Sequence, residues 1–160
     1  MMMKMIENDN CYADNTPGDK MKEERDLGIE SANRSLPPKK SLEIFKWMIE
    51  GDKKAQGWCI RAKMNMQDPV KCLRDPVLYR SNPDHHHRTG RTFKCYPTYD
   101  FACPIVDALE GVTHSMRSIE YKDRDKLYEW VQVKTGVRHV NLFEFARLNF
   151  KFTLMSKRKL

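Results

Sequence analysis

Apolar positions recur along this chain in two rhythms, and the changes of rhythm divide it. Met2, Met5 and Ile6 fall on one helical face, so the chain reads as opening inside an amphipathic helix. Cys11-Tyr12-Ala13 is a short extended piece. Thr16-Pro17-Gly18-Asp19 supplies an N-cap, a proline at the first helical position and an acid in the first turn, which predicts a helix running to about Ser31. Its charged residues, Lys20, Lys22, Glu23, Glu24, Arg25 and Asp26, require it to be exposed. Asn33 to Pro38 breaks it as a surface linker. From Ser41 to Glu50 the helical spacing returns with Leu42, Phe45, Met48 and Ile49, widened by Ile44 and Trp47. This is a core-packing helix, its Trp and Met residues serve packing, and Gly51 stands where a C-cap wants positive φ.

From Gly57 the period is two. Trp58, Ile60, Ala62 and Met64 alternate with Cys59, Arg61, Lys63 and Asn65, as in a half-buried strand. Pro76 to Arg80 reads as a second strand, and the two form a hairpin with basic residues on its open face. Asn82 to Gly90 is a polar loop holding His85, His86 and His87. Three adjacent histidines cannot all face one metal ion, so a solvated loop is expected rather than a metal site. Phe93 to Phe101 reads as an aromatic-rich strand and Ala102 to Leu109 as a helix. Val112 to Ile119 is a strand, Glu120 to Val133 a helix closed by Gly136, and Arg138 to Phe143 a strand. Strand, helix, strand, helix, strand is the order of a parallel sheet with crossover helices. In such sheets ligands bind beyond the carboxyl ends of the strands, which directs attention to Tyr99-Asp100, Met116-Arg117-Ser118 and Ala146 to Asn149.

Composition narrows the class. At 160 residues, 40% hydrophobic and 32% charged, the chain is long enough for one core and is not of disordered type. A net charge of +7 and a pI near 9.2 suit a polyanionic partner, although ribosomal and membrane-surface proteins share that balance. The five cysteines, Cys11, Cys59, Cys72, Cys95 and Cys103, show no paired spacing, which favours reduced thiols and a cytoplasmic setting over disulfides or zinc. No apolar run is long enough to span a membrane, and the first residues do not form a secretory signal. Arg147 and the closing Met155-Ser156-Lys157-Arg158-Lys159-Leu160 make a basic tail suited to gripping polyphosphate.

Four segments in order carry a family resemblance: Leu73 to Arg80, Tyr96 to Phe101, Asp107 to Ser115, and Arg147-Leu148-Asn149 through Leu160. Together they resemble class I glutamyl- and glutaminyl-tRNA synthetases, of the eukaryotic and archaeal glutamyl branch. The resemblance implies an α/β fold: the second half of a Rossmann-type nucleotide-binding fold, with a parallel sheet, and an inserted α+β subdomain that binds the acceptor stem. Residues 1–12 would end a helix of the first half, 13–92 form the insertion, and 93–160 complete the catalytic fold. Leu154 to Arg158 matches the family's mobile K-M-S-K-S loop, with leucine in place of its first lysine. The H-I-G-H motif has no counterpart here, and the anticodon-binding domains do not follow. The chain is therefore expected to be an internal piece that cannot aminoacylate alone.

The resemblance also assigns roles. ATP, with Mg2+, is the co-substrate, and no protein-bound metal is implied. Lys157 and Ser156 are the expected catalytic pair at the developing pyrophosphate, with Met155 and Lys159 beside them and Arg147 and Leu148 against the adenosine. Tyr99 and Arg117 are expected in the amino-acid pocket. Arginine at 117 can pair with a carboxylate, where glutaminyl enzymes carry an uncharged residue; Leu142 replaces the glutamine they tend to use to read the amide. Both favour glutamate over glutamine. Asp123 matches a residue that reaches the acceptor-stem minor groove of tRNA(Glu), and Arg61, Lys63, Lys71 and Arg74 are candidates for its phosphates. The expected partners are thus tRNA(Glu), ATP and glutamate, with other synthetases of a multi-synthetase complex as a further expectation, and no membrane. A non-catalytic RNA-binding or assembly module is the alternative from another class.

Overall fold

The computed structural model describes all residues except 83, 147, 149–150 and 153–160. The first helix, α1 (Met2–Glu7), buries Met2, Met5 and Ile6 as the spacing requires. It is followed by β1 (Cys11–Asp14) and α2 (Gly18–Leu27). α2 begins after Pro17 and stops at Gly28, where φ of 72° closes it short of Ser31. α3 (Pro38–Glu50) starts three residues before the apolar stripe, because a proline at N1 loses no hydrogen bond there, and ends on Gly51 in the left-handed region. Its buried face is Ser41, Ile44, Phe45 and Met48, while Ile49 is exposed.

Strands β2 (Cys59–Ala62), β3 (Val77–Ser81) and β4 (Cys95–Pro97) join β1 in a four-stranded antiparallel sheet of order β1-β2-β3-β4. The expected alternation on β2 exists, but its polar face is not open. Cys11, Ala13, Ile60 and Ala62 pack into the core with Ile44, Phe45 and Met48 of α3. On the opposite face Tyr12, Asp14 and Arg61 are equally buried, under the segment that carries Ser31 and Asn33. The polar groups there satisfy one another, as buried polar groups must. Asp14 accepts hydrogen bonds from Thr16, Ser31, Asn33 and Arg61. Asp75, left-handed at φ 42°, accepts from Tyr12, Arg34 and the Met64 amide, and its carbonyl accepts from Arg61.

The remaining elements are α4 (Tyr99–Leu109), β5 (His114–Ser118), a 3-10 turn over Ile119–Arg124, α5 (Asp125–Thr135) and β6 (Asn141–Phe145). β5 and β6 pair in parallel, joined by the crossover through α5. The expectation of one parallel sheet from Phe93 onward is corrected on two points. The strand before α4 is only β4, which pairs antiparallel with β3, so the first sheet continues across residue 92. The helix begins at Tyr99 rather than Ala102, because the Phe101 and Ala102 amides already bond the Thr98 carbonyl. The protein is thus an α/β structure with one antiparallel and one parallel sheet. α4 and α5 pack together, and Phe101, Ile105, Leu127 and Val131 extend the main core to them.

Candidate functional site

Arg117 is the penultimate residue of β5, at its carboxyl end, and is 8% exposed. Parallel pairing sets Arg117 against Glu144 and Ser115 against Leu142, so Arg117 and Leu142 share a face of the pair. Met116, Phe143 and Phe145 lie on the other, exposed face. Three aromatic rings surround the guanidinium: its carbon is 4.8 Å from the centre of Tyr128, 5.1 Å from Tyr121 and 5.9 Å from Tyr99. Such rings stabilise a cation through their quadrupoles without consuming its hydrogen-bond donors. Among the described residues no carboxylate lies within ion-pair distance of Arg117: its guanidinium interacts with the Tyr99 hydroxyl, Nη2 reaches Cys103 Sγ at 3.8 Å, and Glu144 across the strand pair feels its charge but is bonded by Lys122 at 2.7 Å. Burial pulls the guanidinium pKa down, but Tyr99, Cys103 and Tyr128 together hold it above its ordinary value, so the group stays a cation.

Tyr99 opens α4 and is 57% exposed, its ring tilted against that of Tyr121 at 5.9 Å. Its hydroxyl pKa is raised, first by the hydrogen bond with the Cys103 thiol and against the opposing pull of Arg117. Cys103, one turn on, reaches the Tyr99 oxygen at 3.4 Å and Asp107 Oδ2 at 3.5 Å. Asp107 accepts the Tyr128 hydroxyl at 2.8 Å. Leu142 packs with Ala108, Tyr128 and Val140 and makes the adjoining wall apolar. Among the described residues the arrangement is a buried cation, an exposed phenol at its rim and an apolar wall. It suits a carboxylate.

Tyr99 and Arg117 are therefore brought together. Cys103, Asp107, Tyr121 and Tyr128 are lining residues that sequence reasoning did not single out. Their signal was the spacing 99, 103, 107, one helical face, which becomes readable only when the helix begins at Tyr99.

The expected phosphate-binding cations are dispersed. Arg61 is corrected outright: it is 0% exposed and bonds Asp14 at 2.7 Å and the Asp75 carbonyl at 2.8 Å, so it belongs to the core. Arg74 bonds the carbonyls of Asp68, Arg25 and Asp26, satisfying the end of α2 rather than facing solvent. Lys63 pairs with Asp9 and Lys71 with Asp26, and Lys71 is exposed. Asp123 is exposed within the 3-10 turn, and its carbonyl accepts the Cys72 thiol at 3.1 Å. Leu148 is 66% exposed. Arg147, Met155, Ser156, Lys157 and Lys159 lie outside the described residues. Among the described residues no group of three or more His, Cys, Asp or Glu is placed to hold a metal ion, and no helix is long and apolar enough to cross a membrane.

A parallel strand pair with a buried arginine at its carboxyl end is the setting, and a sequence match over residues 1–160 defines the class: the chain belongs to the family described as tRNA synthetases class I (E and Q), catalytic domain. Among individual proteins, it is 51% identical over its whole length to the cytoplasmic glutamate–tRNA ligase of Arabidopsis thaliana, covering 22% of that protein. It is 46% identical over 99% of its length to the bifunctional glutamate/proline–tRNA ligase of Drosophila melanogaster, covering 9% of that protein. The chain thus spans about a quarter or less of these curated relatives. The crystal structure of glutamate–tRNA synthetase from Elizabethkingia anophelis aligns with 98% of this chain and 34% of that one, at a TM-score of 0.53 and 17% identity, which supports the fold.

Proposed function

We propose that this chain is the part of a cytoplasmic glutamate–tRNA ligase that selects the amino acid. The observation that carries it is Arg117, a buried guanidinium among three tyrosines with no carboxylate at ion-pair distance among the described residues, its register neighbour Glu144 being taken by Lys122. A substrate γ-carboxylate completes that ion pair, whereas the neutral amide of glutamine leaves the cation unpaired in a desolvated site. Tyr99 offers its hydroxyl at the rim, and Leu142 gives the amide no partner. In the parent reaction glutamate attacks the α-phosphate of ATP, supplied with Mg2+, and the adenylate passes its acyl group to the end of tRNA(Glu).

Lys157 and Ser156 stabilise the pyrophosphate charge in this reading, flanked by Met155 and Lys159, with Arg147 and Leu148 at the adenosine. The β5–α5–β6 unit belongs to the second half of a Rossmann-type fold, residues 1–12 end a helix of its first half, and residues 13–92 are the acceptor-stem insertion. Lys71 within it and Asp123 beyond it are the exposed candidates for contact with the tRNA, and Lys63 is released to a phosphate only by giving up Asp9. The bifunctional relatives support an assembly with other synthetase activity.

Isothermal titration with L-glutamate and L-glutamine tests the reading. Glutamate should bind in preference, and Arg117→Cys should weaken glutamate by about tenfold or more while leaving glutamine little changed, the effect of one charge-assisted pair. An unchanged glutamate preference in Arg117→Cys refutes the assignment.

A further inference from the structure

We propose that Cys103 is a specificity-positioning residue: it stands between Arg117 and Asp107 and keeps the guanidinium out of an internal ion pair, so that the cation remains available to an amino-acid carboxylate. The inference rests on the glutamate reading and deepens it.

Tyr99, Cys103 and Asp107 succeed one another along one face of α4, each one turn apart. Cys103 Sγ is 3.8 Å from Arg117 Nη2 on one side and 3.5 Å from Asp107 Oδ2 on the other. The route from the cation to the Asp107 carboxylate therefore passes through sulfur. A thiol is a weak acceptor from the guanidinium and a weak donor to the carboxylate, so it separates the two charges without replacing the substrate. Burial raises the thiol pKa, so Cys103 is neutral near pH 7 and does not itself compensate Arg117. The same Asp107 Oδ2 also accepts the Tyr128 hydroxyl at 2.8 Å, and the Tyr128 ring lies against the guanidinium. One carboxylate thus orients the ring that cradles Arg117, while the thiol denies it direct contact with the cation. An oxygen acid or an empty space at 103 would let the site neutralise itself.

The test is an NMR titration of the protein with L-glutamate, followed at the Arg117 Nε–Hε resonance, using Cys103→Ala, Asp107→Asn, the double variant and Arg117→Ala. Asparagine at 107 retains an acceptor for Tyr128, so ring placement is preserved. With the spacer removed, Cys103→Ala should bind glutamate about fivefold more weakly, the size of one partly exposed ion pair, and the double variant should recover to within about twofold of the native protein. Before any amino acid is added, the resonance should move in Cys103→Ala and return in the double variant. A purely packing role for Cys103 gives no recovery on removing Asp107. Native affinity in Cys103→Ala, a loss the double variant does not restore, or an unmoved resonance overturns the proposal. Full glutamate binding by Arg117→Ala removes the glutamate reading as well, whereas its loss there, with native behaviour in Cys103→Ala, removes this inference alone.

Discussion

Replacing Arg61 by methionine is the sharpest test of how the antiparallel sheet is held. Methionine keeps most of the stem volume and removes the charge, leaving Asp14 as a buried carboxylate. The lost contacts are the 2.7 Å bond to Asp14 Oδ2, the 2.8 Å bond to the Asp75 carbonyl and the stacking on Tyr12 at 5.6 Å. Breaking one side of a buried pair costs about 3–5 kcal/mol. Asp14 keeps the Thr16 amide and hydroxyl, Ser31 and Asn33 on its other oxygen, so the low end applies, about 3 kcal/mol. For a chain of this size that corresponds to a fall in Tm of about 6–12 °C.

Urea unfolding can be followed through Trp47, Trp58 and Trp130, all packed against the core. Adding Asp14→Asn removes the stranded charge, so the double variant should lose at least about 1 kcal/mol less than the sum of the single losses. A loss below about 1 kcal/mol in Arg61→Met, or strict additivity, refutes the coupling.

The same network predicts an acid response. Burial pushes the Asp14 carboxyl up, but hydrogen bonds from Asn33, Arg61 and Thr16 outweigh it and hold the pKa at about 2, below its ordinary 3.8. Asp14 therefore contributes stability above pH 3.8 that disappears as the pH falls to about 2. The gap in unfolding free energy between native protein and Asp14→Asn, read from urea titrations, should narrow by about 2 kcal/mol between pH 5 and pH 2, and a constant gap would refute the shift. Gly51→Ala should cost about 1–2 kcal/mol, because φ is 72° and the new Cβ would lie 2.8 Å from Lys94 Cγ; an unchanged Tm would show that the α3 cap tolerates a side chain.

Much of the architecture is legible in the residue pattern. Period and caps foretell α3 and its Gly51 terminus, the β2–β3 hairpin, the β5–α5–β6 order and the Gly136 stop, because these depend on neighbours within a few positions. The family resemblance likewise singles out Tyr99, within one of its segments, and Arg117, where glutaminyl relatives carry an uncharged residue, and the fold brings the two within 5.9 Å.

What local pattern does not hold is which polar face a distant segment covers. Arg61 sits on a strand face that looks solvent-facing in sequence, yet Asp14, forty-seven positions away, neutralises it in the interior. The same limit hides Cys103 and Asp107: their helical face acquires meaning only when the sheet sets Arg117 and α5 sets Tyr128 beside it. The sequence by itself determined the elements and named the cation proposed for the amino-acid site. The tertiary structure alone decided which charges are buried against each other and which is buried among aromatic rings, because burial and pairing arise from residues far apart in the chain.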